Sequence, residues 1–174
     1  MIDLFGKKKK KAQVDEILTE LREHYKDGDH LAMIDDYNRI INIDPDCKFV
    51  YHGDLFVIGT ALMKLEEYEN AIKVLVKAYH NQVREGFENS AILYNLAYSF
   101  AQIGELEFAF VLCRRAFQQI PEDEDIKWLF GILTEKLKEE KIKPDEIGDD
   151  VWFWGSDYLC VNGKMYVPFS GIAK

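Results

Sequence analysis

The sequence predicts an all-α fold of about three stacked helical hairpins closed by a further helix and followed by a short aromatic β-hairpin. Three observations carry that expectation. Residues 53–79, GDLFVIGTALMKLEEYENAIKVLVKAY, and 91–117, AILYNLAYSFAQIGELEFAFVLCRRAF, place large and small apolar residues at matching offsets 38 positions apart. Within each stretch the apolar residues recur at the three- and four-residue intervals of one helix face. From residue 151 the composition switches to aromatic and β-branched residues around an Asn162-Gly163 pair.

In the 91–117 stretch, Leu93, Leu96, Ala97 and Phe100 form the apolar face of a first helix. Gly104 is suited to end it, because glycine enters the left-handed region without a side-chain clash. Leu106, Ala109, Cys113 and Ala116 repeat the spacing on a second helix, and Pro121 closes the unit. The 53–79 stretch has the same layout, with Leu55, Ile58, Gly59 and Leu62 followed by Tyr68, Ala71, Leu75 and Ala78. Small residues at Gly59 and Ala97, and at Ala71 and Ala109, let two helices approach closely at their crossing. A third, weaker copy precedes them: VDEILTELREHYK reads as its opening helix with a one-residue slip, Gly28 takes the turn, Tyr37 the aromatic place and Asp44-Pro45 the end. Met33 and Ile40 stand in it where the other copies have alanine.

After Pro121, EDEDIKWLFGILTEKLKEEKIK begins with acids and ends rich in lysine, which complements a helix dipole at both ends. Phe130-Gly131 echoes Ile58-Gly59, but Pro144 and the acidic, glycine-containing stretch after it interrupt any further helix, so residues 122–143 read as a capping helix. Asn162-Gly163 between two strand-like runs signals a two-residue hairpin turn, with strands near 157–161 and 164–168. A lone hairpin is marginal in water, so Trp152, Trp154, Tyr158 and Tyr166 are expected to pack on the helical domain. The resulting division is a basic, disordered tail over 1–11, a helical domain over 12–143, and a linker with the hairpin over 144–174.

The 174 residues carry 22 basic and 31 acidic side chains, a formal net charge of −9. Residues 1–11 hold five of the lysines, Lys7–Lys11, and one acid, Asp3, which leaves the remainder at −13 and makes nucleic-acid binding by the main domain an unfavourable expectation. The lysine run is expected to give at most weak attraction to an anionic membrane, and Ile2 excludes the myristoylation pattern. With no apolar run of signal-peptide or membrane-spanning length, the chain reads as cytoplasmic. Cys47, Cys113 and Cys160 are odd in number and scattered, and His24, His30, His52 and His80 lack metal-ligand spacing. No catalytic group, cofactor or metal is expected.

A helix–turn–helix unit with a large residue, a Leu-Gly pair, an aromatic and spaced alanines before a proline resembles the tetratricopeptide repeat. Residues 52–85 and 90–123 are similar to two copies, at an interval longer than that family's roughly 34 residues, so longer connections around CKFVYH and VREGFE are expected. The resemblance implies a right-handed superhelix whose concave groove, lined by the first helix of each hairpin, binds a polypeptide. Carried onto this sequence, the groove residues are Phe56, Val57, Thr60, Met63, Tyr94, Asn95 and Tyr98. These are mostly apolar, unlike the lysines, asparagines and arginine of the family's carboxylate-clamp co-chaperones, so that role is disfavoured. The groove's occupant is read as another protein or peptide, or as this chain's own C-terminal segment. Homo-oligomerisation through the hairpin, a dedicated chaperone or immunity partner of a secreted protein, and an enzyme with a site between groove and hairpin remain as alternatives.

Overall fold

The computed structural model describes residues 4–45 and 52–166. Among the described residues seven helices run in order: α1 (Leu4–Asp27), α2 (His30–Ile43), α3 (His52–Lys64), α4 (Tyr68–Arg84), α5 (Ser90–Gln102), α6 (Leu106–Gln119) and α7 (Glu124–Glu139). They pair as α1–α2, α3–α4 and α5–α6, each hairpin packs on the next, and α7 closes the stack against α6. A single 3-10 turn, Pro144–Glu146, leads into three strands, β1 (Val151–Trp154), β2 (Tyr158–Val161) and β3 (Lys164–Tyr166).

The repeat is visible in the turns atom by atom. Gly28, Glu66 and Gly104, spaced 38 residues apart, each adopt a left-handed φ, of 71°, 62° and 82°. The next residue's N–H then reaches the carbonyl five residues back: Asp29 to His24, Glu67 to Leu62 and Glu105 to Phe100, all at 2.9 Å. This satisfies carbonyls that the helix end would leave orphaned. The first copy therefore aligns with the others without the one-residue slip, and Leu21 takes the place held by Gly59 and Ala97, seven residues before the turn. Side-chain caps start α2, α5 and α7, where Asp29, Asn89 and Asp123 accept from the N–H groups of Ala32, Ala91, and Asp125 with Ile126. Each cap satisfies an amide that has no partner within the helix.

The core runs the length of the stack, and the small residues lie in it as the spacing predicts: Ala71, Ala78, Ala97, Ala109 and Ala116 are wholly buried. At Gly59 the constraint is steric, since a Cβ there would lie 2.5 Å from Cγ of buried Leu75 on α4. One expectation fails at the N-terminal end. Lys7–Lys11 are not a disordered tail but lie within α1. Lysine is a good helix former, and extending an existing helix needs no new nucleus, so the packed face that begins at Val14 carries the helix outward past the charges.

The C-terminal hairpin is present as β2–β3, and a further strand, β1, extends it to a three-stranded antiparallel sheet in the order β1-β2-β3. Its second turn is as predicted: Asn162 and Gly163, both with positive φ (48° and 77°), join Val161 to Lys164 in the two-residue geometry that matches strand twist. Residues 167 and 168, expected in the last strand, and most of CKFVYH lie outside the described residues. The VREGFE connection comprises the end of α4 and a turn at Gly86.

Candidate functional site

The first helices of successive hairpins, α1, α3, α5 and α7, touch one another along one side of the stack. On α3, Phe56, Val57 and Thr60 are half-buried and Met63 is buried; on α5, Tyr94 and Tyr98 are half-buried and Asn95 is buried. The polar pair among them is inward-looking. Asn95 Nδ2 donates to Thr60 Oγ1 at 2.8 Å, and Thr60 Oγ1 donates to the Phe56 carbonyl at 2.8 Å. Asn95 thus ties α5 to α3 instead of presenting its amide to a ligand, and Met63 belongs to the core. Of the seven residues expected to line a groove, Phe56, Val57, Thr60, Tyr94 and Tyr98 keep part of their surface on this side of the stack.

The aromatic rings form a continuous surface. Tyr94 and Tyr98 have centroids 6.3 Å apart, and Tyr68 at the start of α4 lies 6.3 Å from Tyr98. Burial pushes the phenols of Tyr68 and Tyr94 above the usual tyrosine range, and for Tyr94 the carboxylate of Asp125 on α7 adds to the shift. The phenols of Tyr68 and Tyr94 therefore act near neutrality as uncharged apolar surface with a hydrogen-bonding tip.

Sequence reasoning missed one residue of this surface. Trp128 on α7 is 57% exposed. It precedes Gly131 by three positions, as Tyr94 precedes Ala97 and Phe56 precedes Gly59, so it is the next rung of the same row. Phe130-Gly131 marks that register in the sequence, although residues 122–143 read there only as a capping helix. At the other end of the row Arg22 on α1 grips Asp54 of α3 in a two-pronged ion pair at 2.9 and 2.8 Å.

The described C-terminal residues do not enter this groove. They cover the second helices, α4 and α6, on the far side. Phe153 meets Tyr79 and His80 edge-on, each at 5.2 Å between centroids. Tyr166 packs against Phe100 at 4.9 Å and Phe108 at 6.1 Å. Phe100 lies two residues beyond Tyr98, hence about 200° around α5, which puts the sheet and the tyrosines on opposite faces. Lys164 pairs with Glu107 at 2.6 Å and Lys77 with Asp157 at 3.1 Å. Arg114 donates to the carbonyls of Ile147 and Gly148 at 2.9 and 2.7 Å and pairs with Asp149, while Arg115 donates to the Asp149 carbonyl at 3.1 Å. Residues 151–166 therefore neither fill the groove nor form a site with Tyr94, Asn95 and Tyr98.

Of the four residues expected to hold the sheet to the helices, only Tyr166 does so. Trp152, Trp154 and Tyr158 point away, being 45%, 65% and 36% exposed. Strand alternation is the reason: Val151, Phe153, Leu159, Val161 and Tyr166 share the inner face, so their immediate neighbours must face outward.

Residues 55–79, covering most of α3 and the first two-thirds of α4, match the family model of the tetratricopeptide repeat. The α3–α4 hairpin is thus similar to a tetratricopeptide repeat. The matched residues include Gly59, the turn at Glu66, and the small positions Ala71 and Ala78, which are the features that let the hairpins nest. Such repeats serve generally as protein-interaction modules. Among the described residues, no helix is long and apolar enough to cross a membrane.

Proposed function

We propose that this protein binds a segment of another polypeptide along the side lined by α1, α3, α5 and α7, using Phe56, Tyr94, Tyr98 and Trp128 as anchors. The observation that carries the reading is the row of rings placed three residues before successive crossing positions, ending in a Trp with more than half of its surface free. Large aromatics supply much contact area for little lost side-chain freedom, and Trp and Tyr dominate binding hot spots. Phe56, Val57, Thr60, Tyr94, Tyr98 and Trp128 include no lysine, which disfavours a partner held there by its terminal carboxylate and favours one presenting apolar side chains.

The test is a displayed peptide library selected on the full chain and counter-screened on the Tyr94→Ala/Trp128→Ala double variant. Selected peptides should bind the variant at least tenfold more weakly by calorimetry, while its far-UV dichroism stays unchanged. Peptides that bind both proteins equally would remove the groove as the binding surface.

A further inference from the structure

We propose that the outward face of the C-terminal sheet docks a second copy of this chain, burying Trp152, Trp154, Tyr158 and Met165 of both copies about a two-fold axis. This surface lies on the opposite side of the stack from the peptide groove and is independent of it.

The sheet is apolar on both faces. Its inner face rests on α4 and α6, as described. Its outer face holds the cross-strand pairs Trp154 with Tyr158, Trp152 with Cys160, and Cys160 with Met165. Cys160 is wholly buried on that face between Trp152 and Met165, while Met165 itself is 47% exposed. No charged side chain belongs to this group of five.

Area and charge together point to a second copy as the occupant. Aromatic side chains carry about 150–250 Å² each, so at these exposures the four residues leave roughly 400 Å² of apolar surface per copy. Two such faces opposed make an apolar centre of roughly 800 Å², to which a polar rim adds enough for the lower end of stable interfaces, about 1,200 Å² in total. The chain carries a net charge of −9, so two copies repel wherever acidic surface meets acidic surface. Here the centre is uncharged, and ion pairs border the sheet at two places, Lys77 with Asp157 and Lys164 with Glu107, a mixture of signs that a two-fold axis can match with itself. An anionic lipid surface fits less well, because Asp149, Asp150 and Asp157 border the sheet. Sheets stack face to face about 10 Å apart, and the flat Trp and Tyr rings fill that spacing.

Sedimentation velocity of the full chain from about 1 to about 300 μM tests this, since interfaces at the lower end of the size range give weak, concentration-dependent association. The wild type should pass from monomer to dimer across the range. Trp152→Ser/Trp154→Ser should weaken dimerisation at least tenfold, and Met165→Lys, which leaves both Trp residues in place, should do the same. Trp128→Ser, on the groove side, should leave the dimer intact. A wild type that stays monomeric at every concentration, or a dimer that survives both sheet variants, overturns the proposal. So does a dimer lost with Trp128→Ser alone, which would implicate the groove instead.

Discussion

The first hairpin and the second solve the same crossing in different ways. In α3–α4 the helices close on Gly59 and Ala71, and the backbone of α3 comes so near Leu75 that a single added carbon would collide with it. In α1–α2 the equivalent places hold Leu21 and Met33, both wholly buried, so side chains rather than backbone fill the crossing. The first hairpin adds a polar clasp that the second lacks at the equivalent positions. Asp36, buried on α2, faces His24 Nδ1 of α1 at 2.7 Å and Arg39 at 2.7 Å, and Arg39 reaches back to Glu20 of α1 at 2.7 Å. A buried carboxylate needs such partners, because leaving it unpaired would be strongly destabilising. The same repeat can thus be held by close approach or by filled volume plus ion pairs.

The sharpest way to break this contrast is to give the first hairpin the second one's small residue. Met33→Ala should not tighten α1–α2, because Leu21 stays bulky; it should leave a cavity and cost about 2–5 kcal/mol in urea unfolding. A variant as stable as the wild type would mean that the two hairpins pack alike after all.

A smaller effect compares equivalent glycines. Gly59→Ala should destabilise by about 1–3 kcal/mol through overpacking on Leu75, despite alanine's better helix propensity. Gly131, at the same repeat position on α7, has nothing within 4 Å of where its Cβ would be. There the gain in helix propensity stands alone, and Gly131→Ala should stabilise by up to about 1 kcal/mol. The pair of melting curves should move in opposite directions.

The gentlest probe is pH. The hydrogen bond that His24 donates to the Asp36 carboxylate, and that carboxylate's negative charge, raise the His24 pKa above the usual histidine value. Protonated His24 therefore favours the folded state, and its contribution is complete below about pH 6.5, the unfolded value. It is lost as pH rises through the higher folded value. The urea midpoint of the wild type should fall over that window relative to His24→Gln, and parallel pH profiles would remove the charged clasp.

Much of this architecture is legible in the letters because its causes are local. Gly28, Gly104, the caps at Asp29, Asn89 and Asp123, and the Asn162-Gly163 turn act within a few residues of themselves. Glu66 shows the limit: it takes the left-handed turn conformation without being glycine, and only its neighbours at Gly28 and Gly104 reveal the position. Strand β1 was missed because VWFW shows no alternation of polarity; both of its faces are apolar, one against the helices and one toward solvent. Asn95 and Met63 were assigned to the groove by their place in the repeat, yet burial there depends on how far one helix leans on the next.

Where α2, α5 and α7 begin and where the three hairpin turns fall was determined by the sequence alone, since capping, turn chirality and helical periodicity are short-range effects. Which side of the stack the aromatic tail covers was decided only in three dimensions. The contact surface is assembled from Lys77, Tyr79 and His80 of α4, Phe100 of α5, and Phe108, Arg114 and Arg115 of α6, far apart in the chain and brought together by the stacking itself. No local pattern marks such a surface before the helices that compose it have packed.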